Sequence, residues 1–597
     1  MKATDFIAQQ LYNLGIRKVF MLAGGGAMHL NDSIGNFPKF DITYNLHEQA
    51  SAMAAESYGR LSNKPALVNV TTGPGGINAI NGVFGAWTDS IPMVVISGQV
   101  RYNTTIEFSN LPIRQLGDQE VDIIKMVKGI TKYSKMIKNP ETIKDEIIKA
   151  YNISTSGRMG PVWLDIPMDI QGSFINDKVE TKFNNPKETY IHSEADIKNI
   201  IQKIKEAKRP AIIAGNGIRL SNSIELLRKI TEKMKTPLLT AWNAHDVIEN
   251  DFKYYFGRPG TVGDRPGNLI IQNCDLLLIL GSRLNIRQIG YNWESFSRDS
   301  YKIMIDVDKN ELKKHTLKID YPINSDLKVF LKSFDKELSD NEILQKEDWI
   351  NYCKDVRRKF PVLLDEHLKS DKVNPYYFFD ELSNFLPENE IITLADGTAC
   401  VVGNQAFKIK KGQRLYHNSG CASMGYGLPA AIGAWKFSGK RVICVAGDGS
   451  ISQNIQELSL VAAEEMNIII FILNNDGYHS IRQTQQNFFG RFIGCGPDSN
   501  LYFPDYKKIA QAHNIKYFSV KHTKDLKQTF DDVLSEKGPL ICEVFVDKEQ
   551  EFAPKVSSFK DKDGNIFSRP LEDQSPFLDR EELRSLMFID LIKESEE

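Results

Sequence analysis

Residues Val442–His479, VICVAGDGSISQNIQELSLVAAEEMNIIIFILNNDGYH, constrain this chain more than any other stretch. An apolar run over Val442–Ala446 turns through Gly447-Asp448-Gly449. A helical pattern follows from about Gln453 to Glu465, and a second apolar run over Ile468–Leu473 ends in Asn474-Asn475. Two short apolar runs around one helix predict a βαβ unit of a parallel sheet. Its polar residues then stand at the carboxyl ends of neighbouring strands, where open α/β sheets bind ligands. Glycines on both sides of Asp448 let the backbone approach a diphosphate while the carboxylate faces a cation. Asn475, 27 positions later, adds a neutral oxygen. One carboxylate, one amide, one backbone carbonyl and the ligand's own phosphate oxygens suit magnesium. A glycine-flanked aspartate alone is also an ordinary turn; the helix, second strand and terminal Asn pair at this spacing make it a diphosphate–magnesium anchor.

At 597 residues the chain is too long for one core and predicts about three domains. A net charge of −2 gives no electrostatic case for nucleic acid or an anionic membrane as partner, so a small molecule is expected. The N-terminus leads directly into an amphipathic pattern (Phe6, Ile7, Leu11, Leu14), with no apolar signal core and no run long enough to cross a bilayer. Seven cysteines are scattered and never form CxxC, which reads as reduced thiols in a cytoplasmic protein.

Residues 1–175 alternate helix and strand. The strand Val19–Leu22 runs into Gly24-Gly25-Gly26, which lacks both dinucleotide spacing and the lysine of a P-loop, so a tight strand-to-helix turn is the plainer reading. Strand Asp41–Leu46 ends in His47-Glu48 before a helix of small residues, where a glutamate also suits the helix dipole. Strand Ala66–Val70 ends in TTGPGGIN, and a loop containing GDQEVD follows the strand Met93–Ser97. Residues 176–194 are polar and aperiodic, a linker. A second α/β unit over 195–335 carries Gly215-Asn216-Gly217 and GSRLNIR (281–287); residues 336–370 are charged and helical, a second linker. A third unit over 371–550 carries LADGT, HNSGCASMGYGLP and the anchor, and a polar, proline-punctuated tail occupies 551–597.

Glu48 with TTGPGGIN, the GDG…NN anchor and GYHSIRQTQ, in this order, resemble the thiamine-diphosphate (ThDP) enzymes, in particular the large catalytic subunit of the acetolactate synthases. The resemblance spans most of residues 1–550. It implies three doubly wound, mostly parallel-sheet α/β domains: pyrimidine-binding (1–175), central (195–335) and diphosphate-binding (371–550). It implies that Glu48 activates the cofactor, since a carboxyl can share a proton with N1′ of the aminopyrimidine where glutamine cannot. Gly25, Gly73, Pro74 and Asn78 would touch the cofactor on the pyrimidine side; Ser423, Met424, Gly447, Gly449, Ser450 and Tyr478 would do so on the other. Asp448 and Asn475 would hold Mg²⁺ through side chains and Gly477 through its carbonyl. Gln119 would line the reaction pocket, and Arg287 would face the acceptor, a guanidinium fork being matched to a carboxylate. FAD in the central domain is left open, with Gly217, Asp264-Arg265 and Asp306 near the matching places.

The chemistry implied is decarboxylation of a 2-oxo acid, pyruvate first, and transfer of the acyl unit to a second carbonyl compound by a homodimer or homotetramer, with room for a regulatory subunit. Several positions depart from the synthase pattern: Asp118 replaces an aromatic residue, Met168 a lysine, Asn285 and Ile286 two aspartates, and Thr484 a tryptophan. The smaller Thr484 predicts an acceptor bulkier or more polar than pyruvate. The alternatives are a ThDP-dependent decarboxylase or diketone hydrolase, with Asp118 and His479 as proton donors, and a silent scaffold, against which the intact Glu48 and Asp448 argue.

Overall fold

The computed structural model describes residues 1–176, 192–560 and 566–596. Most of the linker read at 176–194 therefore lies outside the described residues. The N-terminal sheet contains β1 (Lys18–Met21), β2 (Asp41–Tyr44), β3 (Ala66–Val70), β4 (Met93–Gln99), β5 (Tyr133–Met136) and β6 (Pro161–Pro167). The central sheet contains β7 (Pro210–Ala214), β8 (Leu238–Thr240), β9 (Tyr255–Gly257), β10 (Leu276–Leu280), β11 (Tyr301–Asp306) and β12 (Tyr321–Asn324). The third contains β13 (Ile391–Leu394), β14 (Arg414–Tyr416), β15 (Val442–Gly447), β16 (Ile468–Asn474), β17 (Lys516–Val520) and β18 (Leu540–Phe545). Each is a six-stranded parallel sheet with helices on both faces, which explains why its strands read as unbroken apolar runs.

The first and third sheets share one order, β2-β1-β3-β4-β6-β5 and β14-β13-β15-β16-β18-β17, whereas the central sheet runs β12-β11-β10-β7-β8-β9. The order reverses between β1 and β3, between β13 and β15, and between β7 and β10, so each domain opens a crevice at the carboxyl ends of those pairs.

The first and third domains share a core. Helix Glu48–Ser62 offers Ala50, Ala52, Ala54, Ala55, Ser57 and Gly59 to its neighbours. A Cβ on Gly433 would lie 2.1 Å from the Ala54 carbonyl oxygen, and one on Gly82 would lie 2.5 Å from Ala52 Cβ. Small side chains therefore bring helices Glu48–Ser62, Pro74–Asp89 and Gly427–Ser438 to near-backbone contact. Buried beneath them, Arg60 donates to Glu56 and, at 2.6 Å, to Asp89. Asn243 of the central domain donates 2.8 Å to the other Asp89 oxygen, so one carboxylate ties two domains.

The 336–370 stretch, read as a linker, holds helix Glu347–Lys359, which buries Trp349 and Ile350 in the central core. The tail does likewise with Leu571 and Leu583, and Glu572 accepts from Gln272 and Arg298. Among the described residues no helix is long and apolar enough to cross a membrane.

Candidate active site

Asp448 follows β15 and is buried, its carboxylate accepting the backbone N–H of Gly449 at 2.8 Å and of Gly477 at 3.0 Å. Burial nevertheless pushes the carboxyl up to about 7. Asn475 follows β16, one strand away; its Nδ2 donates 3.3 Å to Thr398 Oγ1 while its Oδ1 is buried with no partner among the described residues. Among the described residues no cluster of three His, Cys, Asp or Glu could hold a metal. A cation here would take one carboxylate, the orphaned amide oxygen and a backbone carbonyl, leaving the remaining positions to a phosphate ligand. That donor set fits Mg²⁺ with a diphosphate.

The helix expected from Gln453 begins earlier and in pieces: Asp448–Ile451, a 3₁₀ stretch Ser452–Glu457, then Leu458–Ala463. The break falls at Asn454 (φ −134°), whose Nδ2 donates 2.8 Å to the Gly425 carbonyl. Gly425 N donates 3.0 Å to Ser450 Oγ. The turn carrying Ser423 and Met424 is thus fixed against the Asp448 turn. The Tyr478 ring lies over Gly449, where a Cβ would fall 2.2 Å from it.

Glu48 is buried at the first turn of its helix and accepts 3.0 Å from Asn78 Nδ2. Asn78 belongs to helix Pro74–Asp89, which starts at Gly73 (φ +56°). A Cβ on Gly73 would fall 2.0 Å from the Gln119 carbonyl, and Gln119 itself sits at φ +63°. The Gln119 loop is therefore packed against the Gly73 turn, with the Gln119 side chain exposed. Gly25 has open space around it, whereas Gly24 and Gly26 close on Thr71 and Thr72.

Arg287 stands after β10, its guanidinium 5.4 Å over the Trp242 ring and without a hydrogen bond among the described residues. Burial raises the half-buried Asp396 carboxyl, and Arg287 pulls against that rise. Asp396 is two residues from Thr398, the acceptor of the Asn475 amide, so Arg287 acts on the strand end that supports Asn475.

Sequence reading missed several supports. Glu120 accepts from Ile106 N (2.5 Å), Leu116 N (3.1 Å) and Gly117 N (3.1 Å), folding the loop that carries Gln119. Glu457 reaches across the domain boundary to Asn45 and to Leu46 N, just before Glu48. Thr398 was legible only as part of a turn, because nothing in the sequence places β13 beside β15.

A cavity of about 280 Å³ opens at the β7/β10 crevice, lined by Gly215, Gly217, Gly281, Arg283 and Asp306 and closed by Arg158 of the first domain. Asp306 ends β11 and burial raises its carboxyl to about 6. Glycine turns and a strand-end carboxylate fit the adenosine end of a dinucleotide. Asp264 and Arg265, read near such a site, serve elsewhere: Asp264 caps a helix through Gly267 N (2.7 Å), and Arg265 donates to the tail carbonyl of Pro576 (2.6 Å).

Three family models match in chain order: the N-terminal TPP binding domain of thiamine pyrophosphate enzymes over residues 1–126, their central domain over 197–334 and their C-terminal TPP binding domain over 396–544. The chain is 30% identical to the acetolactate synthase large subunit of Buchnera aphidicola subsp. Schizaphis graminum over 574 residues, 93% of this chain and 96% of the relative. The chain belongs to the thiamine pyrophosphate enzymes. Within this family it is similar, at 28% identity over 93% of its length, to the large subunits of Lactococcus lactis acetolactate synthase and of Escherichia coli isozyme 2, covering 94% and 97% of them. It is an enzyme of the acetolactate synthase-like branch, and the glycine turn at Asp448 falls within the matched C-terminal TPP binding domain.

Proposed function

We propose that this enzyme is a ThDP- and Mg²⁺-dependent carboligase that decarboxylates a 2-oxo acid, pyruvate first, and joins the acyl unit to a second carbonyl compound. The observation that carries it is the pairing of a buried Glu48 held by Asn78 with a cation-ready Asp448 and orphaned Asn475 Oδ1. When bound, ThDP supplies a nucleophilic carbon and an electron sink for loss of CO₂. Glu48 holds and moves the proton at N1′ of the pyrimidine. Asp448, Asn475 and the Gly477 carbonyl would hold Mg²⁺ together with the diphosphate. Met424, on its fixed turn, would pack against the bound cofactor, and Gln119 would orient the reacting group. Arg287, with no competing partner among the described residues, holds a carboxylate. FAD would be held by Gly217, Gly281, Arg283 and Asp306, with no part in net redox chemistry.

The active unit is at least a homodimer, with Glu48 and Asp448 serving one site from two chains. This is supported by large apolar side chains left exposed near both halves: Tyr44, Leu46 and Ile77 near Glu48, and Ile481, Phe488 and Phe489 beyond Asn475. The cytoplasm is inferred from seven scattered, unbridged cysteines.

Incubation of the purified protein with Mg²⁺ and carbon-labelled pyruvate, with and without ThDP, tests the reading by NMR of CO₂ and products. ThDP-dependent CO₂ release with a joined carbon skeleton is expected. Release with acetaldehyde as the sole product would instead make it a decarboxylase.

A further inference from the structure

The tail enters the site's neighbourhood before it crosses to the central domain. His479, two residues beyond Gly477, contacts the Gln550 carbonyl through Nε2 at 2.7 Å, and Gln483, one turn along the same helix, lies 2.8 Å from the same ring nitrogen. Phe552 packs edge-on to the His479 ring at 5.2 Å. Ala553 N donates 2.7 Å to Tyr376 Oη, Gln405 Nε2 donates 2.7 Å to the Pro554 carbonyl, and Val556 N donates 2.7 Å to the Thr261 carbonyl. Thr261 N in turn donates 2.9 Å to the Arg287 carbonyl.

Lys555 sits between these stitched residues, half-buried, so its backbone is fixed rather than free. Among the described residues its ammonium has one partner, the neutral Gln483 Oε1 at 3.5 Å, and no carboxylate within ion-pair distance. The helix bearing Gln483 is bound to the metal-side turn, for Arg482 donates 3.2 Å to the Asn475 carbonyl. The backbones at Lys555 and Arg287 therefore lie on either side of Thr261, and among the described residues neither side chain makes an ion pair, Asp396 and Glu551 acting on them only from a longer range. Burying part of an ammonium with a neutral amide as its one direct partner, and the Glu551 carboxylate beyond ion-pair distance, is unfavourable unless a closer anion completes it.

We propose that Lys555 determines acceptor specificity: its ammonium receives an anionic oxygen group on the carbonyl acceptor, either the carboxylate of a second 2-oxo acid or a phosphate on a larger acceptor. This rests on the carboligase reading. An ammonium is a point charge that suits either group, whereas Arg287 supplies the planar fork.

The test uses the full chain loaded with ThDP and Mg²⁺, labelled pyruvate as donor, and three acceptors: acetaldehyde, 2-oxobutyrate and glyceraldehyde 3-phosphate. In Lys555→Met the ratio of kcat/KM for the anionic acceptor to that for acetaldehyde falls roughly tenfold, and Lys555→Arg restores most of it. A fall confined to 2-oxobutyrate identifies an oxo acid, and one confined to glyceraldehyde 3-phosphate identifies a phosphorylated acceptor. A ratio unmoved for both overturns the inference. Should the wild type release no CO₂ from pyruvate, the carboligase reading falls instead. Calorimetric binding of 2-oxobutyrate and glyceraldehyde 3-phosphate then decides, equal affinities in wild type and Lys555→Met refuting the role of Lys555.

Discussion

Asn78 donates a 3.0 Å hydrogen bond to the Glu48 carboxylate, joining the N-terminal ends of two helices that follow different strands of the N-terminal sheet. The bond fixes one carboxylate oxygen and leaves the other for the cofactor. Glu48→Gln keeps an oxygen that can accept from Asn78 but cannot carry the proton. Turnover should fall by about 10²-fold or more while ThDP affinity, measured by calorimetry, changes little. A variant of near wild-type rate would remove the central catalytic assignment.

Asp448 and Asn475 follow the adjacent strands β15 and β16, and on the proposed function they share one cation. Asp448→Asn and Asn475→Ala should each weaken Mg²⁺ binding by roughly tenfold or more, the aspartate more, because it supplies the charge. Titration of Mg²⁺ against ThDP-dependent activity and against ThDP retention reads the effect.

If two chains build each site, mixing inactive Glu48→Gln with inactive Asp448→Asn protein should regenerate sites with both residues intact. Random reassociation of dimers restores roughly a quarter of wild-type activity. No recovery after demonstrated subunit exchange would mean that each chain builds its own site.

The Gly73 turn tolerates no side chain, since its φ of +56° and the 2.0 Å approach of the Gln119 carbonyl both exclude a Cβ. Gly73→Ala should cost about 1–3 kcal/mol of stability and displace the Gln119 loop. Product ratios measured on the surviving folded protein should shift along with the rate.

Asp165 is fully buried and accepts 2.6 Å from Ser97 Oγ and 3.0 Å from Gln99 Nε2. Burial raises its carboxyl to about 7, against the pull of those donors. A folded-state value above the unfolded one means that the folded protein holds the proton more tightly. This contribution is full below about pH 4 and is lost as pH rises through about 7. Asp165→Asn should therefore lose less stability than wild type between pH 5 and 8, as read from denaturant midpoints. Parallel pH profiles would refute this.

The strands of the anchor were legible to within a residue, because a strand buried on both faces leaves a continuous apolar run. The helix between them was misplaced: the bond from Asn454 to Gly425 is long-range and overrides local helical preference. Helix Glu347–Lys359 looked like a linker because its charged face dominates the count, while Trp349 and Ile350 mark the face that packs.

Sequence by itself determined the chemistry on offer: a glycine-flanked aspartate, an asparagine at the next strand's end and a glutamate before a small-residue helix, since each depends on short-range spacing along βα units. Tertiary structure decided what those residues meet. The reversal of strand order sets Thr398 beside Asn475, the left-handed Gln119 abuts Gly73, and the tail delivers Lys555 to Gln483, contacts made across tens to hundreds of residues that no local pattern records.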